Sequence, residues 1–338
     1  MEKIPYTNTS IYFDDSFSSL VKYIDLEFSN IFLIVDSNIY DLHPKKFHEY
    51  KNILVVESIE DSKSLTYVDT LIDKLILLGC NRSSFIVGIG GGVISDIAGF
   101  VASIYMRGIR FGFVPTTLLS ITDASIGGKN GVNFKGIKNI IGTINEPKFL
   151  LIDFSFLETL SDFELSNGYS EIIKHACISS NKLFSLLESI EIDCKKNSFK
   201  EILKDSIKIK ISVINNDLNE KNSRKLLNFG HTFGHAIEAK YKISHGEAIS
   251  LGIILATDIS IKFGYLNDNS AIVRITNLLN KFNLPTDIKC YNKESLLYYV
   301  TKDKKSKGKY IDFVVLNSIG NAEVKSILID KILNEQNY

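Results

Sequence analysis

Five short apolar runs punctuate the first half of this chain, and they decide its fold class: IFLIVD (31–36), NILVVE (52–57), SFIVGIGGG (84–92), FGFVPTT (111–117) and FLLID (149–153). Each run is continuous rather than alternating, the mark of a strand covered on both faces. Between the second and third lies LTYVDTLIDKLILLG (65–79), with helical periodicity and a terminal glycine stop. Strands alternating with helices predict a doubly wound, mostly parallel sheet in a Rossmann-like α/β domain. After about Asp153 the texture changes. FLETLSDFELSNGYSEIIKHACI, SFKEILKDSIKIKISVI, LLNFGHTFGHAIEAK and GEAISLGIILATDISIKFG carry apolar residues at i, i+3 and i+4. We expect an α/β domain over 1–153 and a mainly α-helical domain over 154–338. One late strand is expected at IDFVVL (311–316), and the active site in the cleft between the domains.

Composition narrows the class. Lys+Arg and Asp+Glu both number 39, so the basic excess of a nucleic-acid-binding or membrane-surface protein is missing. With 45% hydrophobic residues the chain can bury a sizeable core. The opening MEKIPYTNTSIYFDDS lacks the apolar centre of a signal peptide. The longest apolar region, 85–106, is glycine-rich and broken by Asp96, which makes a poor membrane span. Cys80, Cys177, Cys194 and Cys290 form no CxxC pair, as expected of free thiols in a reducing cytoplasm. A cytoplasmic globular protein is expected, with no nucleic acid and no membrane as partner.

Four segments could carry chemistry. GIGGGVISD follows a strand directly, and its glycines would let backbone N–H groups approach a diphosphate at a helix N-terminus. Tight packing alone would also select glycines. Asp36, ending the first strand, could accept from a ribose or be a solvated turn residue. PTTLLSITDASIGGKNGVNFKGIKN places Thr116 and Thr117 at a strand end, followed by a glycine- and lysine-bearing loop. Lys129, Lys138 and Asn139 of that loop suit phosphate. The alternative is a flexible solvated loop. HTFGHAIE sets His231 and His235 on one helical face, with His245 soon after, so half of the six histidines fall within 15 residues. EIIKH adds Glu171, Lys174 and His175 on another helix. A glutamate with two or three histidines is the donor set of a catalytic divalent metal, and the HxxxH spacing nominates His231 and His235 as joint ligands. Lastly, Lys208, Lys210, Arg224 and the run KDKKSKGK are basic residues suited to an anionic substrate, or ordinary surface charge.

Taken in order, GGGVISDIAGF, YMRG, VPTTLLS, DASIGGK, KNIIG, EIIKH, LLNFGHTFGHAIEA and HGEA resemble the 3-dehydroquinate synthase family, from about Asp36 to Gly320. The resemblance implies a dehydroquinate synthase-like fold and a homodimer that uses NAD⁺ catalytically with a divalent metal, zinc or cobalt. The implied small-molecule substrate is 3-deoxy-D-arabino-heptulosonate 7-phosphate, converted to 3-dehydroquinate and phosphate in the shikimate pathway of aromatic amino acid biosynthesis. It implies Glu171, His231 and His245 as metal ligands, with His235 facing substrate. His235 and Glu220 align with proton-handling residues. Arg107, Lys129, Asn139, Asn228 and His235 match positions around the phosphate, the arginine coming from the partner subunit. Lys210, Arg224 and either Lys304 or Lys305 match positions around the carboxylate, and Asp123 and Lys174 further substrate contacts. For NAD⁺ the matching positions are Asp36, Asn38, Glu60, Lys63, Gly91, Gly92, Val93, Asp96, Thr116, Thr117, Lys138, Asn139, Phe156 and Thr159. The alternatives within the same superfamily are a sister cyclase, 2-deoxy-scyllo-inosose or epi-valiolone synthase, and a metal-dependent polyol dehydrogenase.

Overall fold

The computed structural model describes residues 2–24, 26–27, 30–190, 197–215, 217, 223–288, 306–307 and 310–334. The chain divides into two compact units, Met1–Ser161 and Asp162–Tyr338. The division follows Ser161 rather than the change of texture after Asp153, because the 3-10 turns at Phe154–Thr159 bury Phe156 in the first unit's core.

In the first unit, β1 (Glu2–Tyr6) and β2 (Thr9–Phe13) form an antiparallel hairpin. Then follow α1 (Leu20–Ile24), β3 (Ile31–Asp36), α2 (Ser37–Leu42), β4 (Asn52–Val56), α3 (Leu65–Leu77), β5 (Phe85–Gly90), α4 (Gly92–Ile104) and β6 (Arg110–Pro115). A ribbon of β7 (Lys129–Phe134) and β8 (Ile137–Ile144) precedes β9 (Phe149–Ile152). All five expected strands form, in a seven-stranded sheet ordered β1-β2-β9-β6-β5-β3-β4 that is parallel except for β1. Side chains alternate between its two faces. Leu33, Val35, Val87, Ile89 and Leu151 pack on one face with Phe17, Leu20 and Phe156. Apolar residues of α4, among them Ile94, Ile97 and Val101, are fully buried.

The second unit contains α5 (Asp162–Ser179), α6 (Asn181–Ser189), α7 (Asn197–Asn215), α8 (His231–Tyr241), α9 (His245–Lys262) and α10 (Ser270–Lys281). A small antiparallel sheet follows, of β10 (Ser306–Lys307), β11 (Tyr310–Ser318) and β12 (Asn321–Leu328), then α11 (Ile329–Asn334). Helix α9 is buried around nearly its whole circumference from Gly246 to Ser260, which makes it the central helix of this unit. Ser260 Oγ accepts from the Leu316 amide at 3.0 Å and so ties the small sheet to it. The late strand is therefore half of a hairpin. Its partner β12, NAEVKSIL, is mostly half-exposed and reads as polar.

Candidate metal centre and dinucleotide site

Three residues singled out by sequence converge in the second unit. Glu171 lies on α5, while His231 and His245 open α8 and α9. One ligand-capable atom of each lies within 4.8 Å of the others. Packing places them there. Asn167, one turn before Glu171 on α5, accepts at Oδ1 from Ser244 Oγ (2.6 Å) and from the Gly246 amide (3.2 Å), gripping α9 on both sides of His245. Ser244 also closes a capping box with Glu247. Gly252 of α9 lies against Gly230, the residue that caps α8; a Cβ on Gly252 would stand 1.9 Å from the Gly230 carbonyl oxygen. The two backbones touch, and only glycine fits there.

The electrostatics suit a cation. His245 Nε2 lies 3.3 Å and His231 Nε2 3.6 Å from Glu171 Oε1. Each ring turns its Nδ1 to an oxygen, His231 to the Phe229 carbonyl (3.1 Å) and His245 to Glu238 Oε2 (3.2 Å). A neutral imidazole donating from Nδ1 carries its lone pair on Nε2. Two such lone pairs would face a carboxylate oxygen in a buried space, an arrangement that needs a cation or a proton in its midst. Two imidazoles and a carboxylate, with oxygen partners behind the rings, fit a zinc-like divalent ion. Burial disfavours charge on Glu171, but Lys174, paired with its other oxygen, and the two imidazoles hold its carboxyl well below the usual range. Burial and Lys174 together push His231 well below its ordinary value, so it is neutral at pH 7. Burial opposes charge on His245 too, yet Glu171 and Glu238 lift it to about 10. Without a metal ion, the Lys174 ammonium and a proton on His245 balance the two carboxylates.

His235 is exposed, its ring centroid 5.1 Å from that of His231 and 6.4 Å from that of His245. The HxxxH spacing puts the two rings side by side, but the converging set takes His245 instead, because His245 opens the helix that crosses α8. Lys210 on α7 and Arg224 in the 3-10 segment Ser223–Asn228 are buried, unusual for cations. The Arg224 amide donates to Asp217 Oδ2 (3.2 Å), and Asn228 is half-buried two residues before Gly230. Glu220, Lys304 and Lys305 lie outside the described residues.

In the first unit the sheet reverses its winding between β3 and β5, since β3 leads outward to β4 and β5 leads the other way to β6. Ligands of such sheets sit at the C-terminal strand ends beside this switch. Asp36 is there, its Oδ1 accepting from the Asn38 amide at 2.9 Å, and burial raises its carboxyl. Across from it Gly91 caps α4, and Gly92 and Val93 open the helix with amides free of helical partners. The buried Lys63 ammonium donates to Asp96 Oδ2 (2.6 Å) and Asn139 Oδ1 (2.5 Å). Burial nevertheless lifts the Asp96 carboxyl to about 6. Thr116 Oγ1 is buried with no hydrogen-bond partner among the described residues, a hydroxyl suited to a ligand. Thr117 Oγ1 pairs with Ser120 Oγ at 3.0 Å. Phe156 lies under Lys46 Nζ, 4.7 Å from the ring centre, and Thr159 Oγ1 is 3.1 Å from His43 Nε2.

Asp123 is half-buried on the π-turn Ser120–Ala124. Arg107 is exposed and, with Met106, adopts a positive φ. Lys129 and Lys138 are exposed on β7 and β8. The glycine-rich loop expected around them is instead this two-stranded ribbon. Lys135 (φ 49°) and Gly136 (φ 78°) close it with a two-residue turn of the type that matches strand twist. Two residues escaped the reading of the sequence. Glu238, seven positions after His231, shares its helical face, a spacing that could have found it. Asn133 leaves no such signal.

The family profile of the 3-dehydroquinate synthase N-terminal domain matches residues 53–167, and that of the C-terminal domain residues 168–306. The chain belongs to the 3-dehydroquinate synthase family. Among its relatives, the 3-dehydroquinate synthase of Thermoanaerobacter pseudethanolicus is 40% identical over 96% of this chain and 95% of its own. That of Pyrococcus abyssi is also 40% identical, over 83% and 84%. A solved 2-epi-5-epi-valiolone synthase from Streptomyces hygroscopicus subsp. jinggangensis 5008, with NAD⁺ and Zn²⁺ bound, superimposes with TM-score 0.87 at 25% identity, covering 100% of this chain and 99% of its own. A 2-deoxy-scyllo-inosose synthase complexed with carbaglucose-6-phosphate, NAD⁺ and Co²⁺ gives 0.86 at 26%, covering 99% and 98%. Likeness to an iron-containing alcohol dehydrogenase, TM-score 0.64 at 14% identity over 99% and 98%, concerns the fold alone.

Proposed function

We propose that this member of the family converts 3-deoxy-D-arabino-heptulosonate 7-phosphate to 3-dehydroquinate and phosphate in the shikimate pathway, with NAD and one divalent ion, Zn²⁺ or Co²⁺. The inward-facing donor set of Glu171, His231 and His245 carries this reading, in a chain 40% identical to named 3-dehydroquinate synthases. When bound, NAD would supply hydride-transfer chemistry and the metal Lewis-acid polarisation of a hydroxyl.

The chain's own residues do the rest. Asp36 and Asn38 hold the adenosine ribose, and the amides of Gly91, Gly92 and Val93 hold the diphosphate at the start of α4. Glu60, Lys63, Asp96, Thr116, Thr117, Lys138, Asn139, Phe156 and Thr159 complete the dinucleotide pocket. His235 stands beside the two metal-binding imidazoles, exposed, and holds or moves a proton at its ring nitrogen, with Glu220 as its counterpart. Arg107, Lys129, Asn139 and Asn228 bind the phosphate. Lys210, Arg224 and Lys304 or Lys305 bind the carboxylate, and Asp123 and Lys174 orient hydroxyls. We also infer a cytoplasmic homodimer. Exposed Ile104 and Met106 near Arg107, with Phe134, Ile137 and Ile144 of the ribbon, are apolar side chains that a second copy would cover. Among the described residues no helix is long and apolar enough to cross a membrane.

A sister cyclase is the second reading, favoured by the superposition on two such enzymes. Their substrates lack a carboxylate, so buried Lys210 and Arg224 argue against it. The test mixes the protein with the heptulosonate phosphate, catalytic NAD⁺ and Zn²⁺ or Co²⁺, following phosphate and absorbance at 340 nm. Stoichiometric phosphate without net NADH is expected. NADH without phosphate would indicate a dehydrogenase, and phosphate released only from glucose 6-phosphate or sedoheptulose 7-phosphate a sister cyclase.

A further inference from the structure

Asn133 lies at a bulge where the β7–β8 ladder is interrupted between Val132 and Phe134. Freed from the ladder, it bridges in parallel to Ser64, and its amide donates to the Lys63 carbonyl at 2.7 Å. Both ends of its carboxamide are then used. Oδ1 accepts from the Asn139 amide at 2.8 Å, and Nδ2 donates to Glu60 Oε1 at 2.8 Å. Asn139 has φ 50°, the left-handed conformation that asparagine adopts more readily than other L residues, and its amide is held there by donating to Asn133 Oδ1. Asn139 Oδ1 in turn accepts from Lys63 Nζ, which also serves Asp96. The ring closes where Lys63 Nζ approaches Glu60 Oε1 at 3.9 Å.

We propose that Asn133 is a positioning residue whose carboxamide locks Asn139 to Glu60 and Lys63, so that the ribbon presents its ligand-facing groups in one arrangement. The inference rests on the functional reading above, which assigns Asn139 to both cofactor and substrate and Glu60 and Lys63 to the cofactor. Asn133 is half-buried and belongs to no apolar core, so removing its side chain chiefly releases the orientation of its two partners. Alanine at 133 opens the ring at both points. Aspartate keeps an acceptor for the Asn139 amide but sets a carboxylate against Glu60.

The test compares Asn133→Ala and Asn133→Asp with the unaltered full chain by calorimetric titration with NAD⁺, by KM and kcat for the heptulosonate phosphate, and by Tm. The alanine variant is expected to raise both the NAD⁺ Kd and the substrate KM about tenfold, the scale of one hydrogen bond to a charged partner. Its kcat at saturation and its Tm should change little. Asn133→Asp is expected to restore KM towards the unaltered value while NAD⁺ binding stays weak. Unchanged constants in the alanine variant would overturn the proposal, as would aspartate and alanine variants alike in KM. If Asn133→Ala does not fold, the aspartate variant decides alone, and an unaltered NAD⁺ Kd there overturns the idea. A chain that binds NAD⁺ but does not turn over this substrate would refute the functional reading, and the NAD⁺ titrations would still decide the role of Asn133.

Discussion

Glu238 stands behind His245, bound to the ring nitrogen that faces away from Glu171, so it acts on a bound ion through the ring. It holds the Nδ1 proton, and with it the direction of the Nε2 lone pair. Glu238→Ala is expected to lower Zn²⁺ affinity about 10- to 100-fold, the usual effect of removing such a partner. Competition with a chromogenic chelator would measure it, and an unchanged affinity would remove Glu238 from the site. Asp153 acts on stability instead. Burial disfavours its charge, but the Ser155 hydroxyl, the Phe17 amide and Lys46 more than offset that and lower its carboxyl below 3.8. A depressed carboxyl stabilises the fold above the unfolded value and loses that contribution as pH falls. Asp153→Asn should therefore cost about 2 kcal/mol at pH 7 and progressively less below pH 4. Denaturant midpoints across that range would show it, and a cost independent of pH would contradict it. At this scale the sequence exposed residue types but not their pairings. Three histidines and a glutamate were visible, whereas the choice of His245 over His235 depends on how two helices cross. Spacing along one helix says nothing of that.

Helices α8 and α9 meet through peptide groups rather than side chains. Gly252→Ala would drive a methyl into the Gly230 carbonyl, with Gly234 N only 2.8 Å away. The expected cost is about 3 kcal/mol, the upper end for overpacking a close-packed contact. Zn²⁺ affinity should fall with it, because His231 and His245 head the two displaced helices. Unfolding curves and zinc titration of the same variant would check both, and a stable variant with normal zinc affinity would mean that the helices can separate without disturbing the ligands. Elements with strong periodicity were legible in advance: the five buried strands, α3, and the long helices of the second unit. The ribbon was not, because its glycines mimic a loop. Gly131 and Gly142 face one another with no room for a side chain, so β7 and β8 lack the alternation that marks a strand. Strand β12 escaped for a related reason, its charged residues masking a half-buried face.

Across the molecule, every residue assigned here to the dinucleotide lies in Met1–Ser161, and every assigned metal ligand in Asp162–Tyr338. Each ligand should therefore stabilise its own unit. At 100 times its Kd a ligand adds about 2.7 kcal/mol to the state that binds it. Hydrogen exchange should show NAD⁺ slowing amides of β3, β5 and α4, and Zn²⁺ slowing amides of α5, α8 and α9. Protection by Zn²⁺ confined to the first unit would contradict the assignment. The sharing of work within each unit was not legible from spacing and rested on family motifs. The donor set, two imidazoles and a carboxylate, contains no sulfur. Metal held by thiolates is released when those sulfurs are oxidised, and Cys80 and Cys177 are buried outside this set. A centre made this way should keep its ion through a burst of peroxide that would empty a cysteine-bound one.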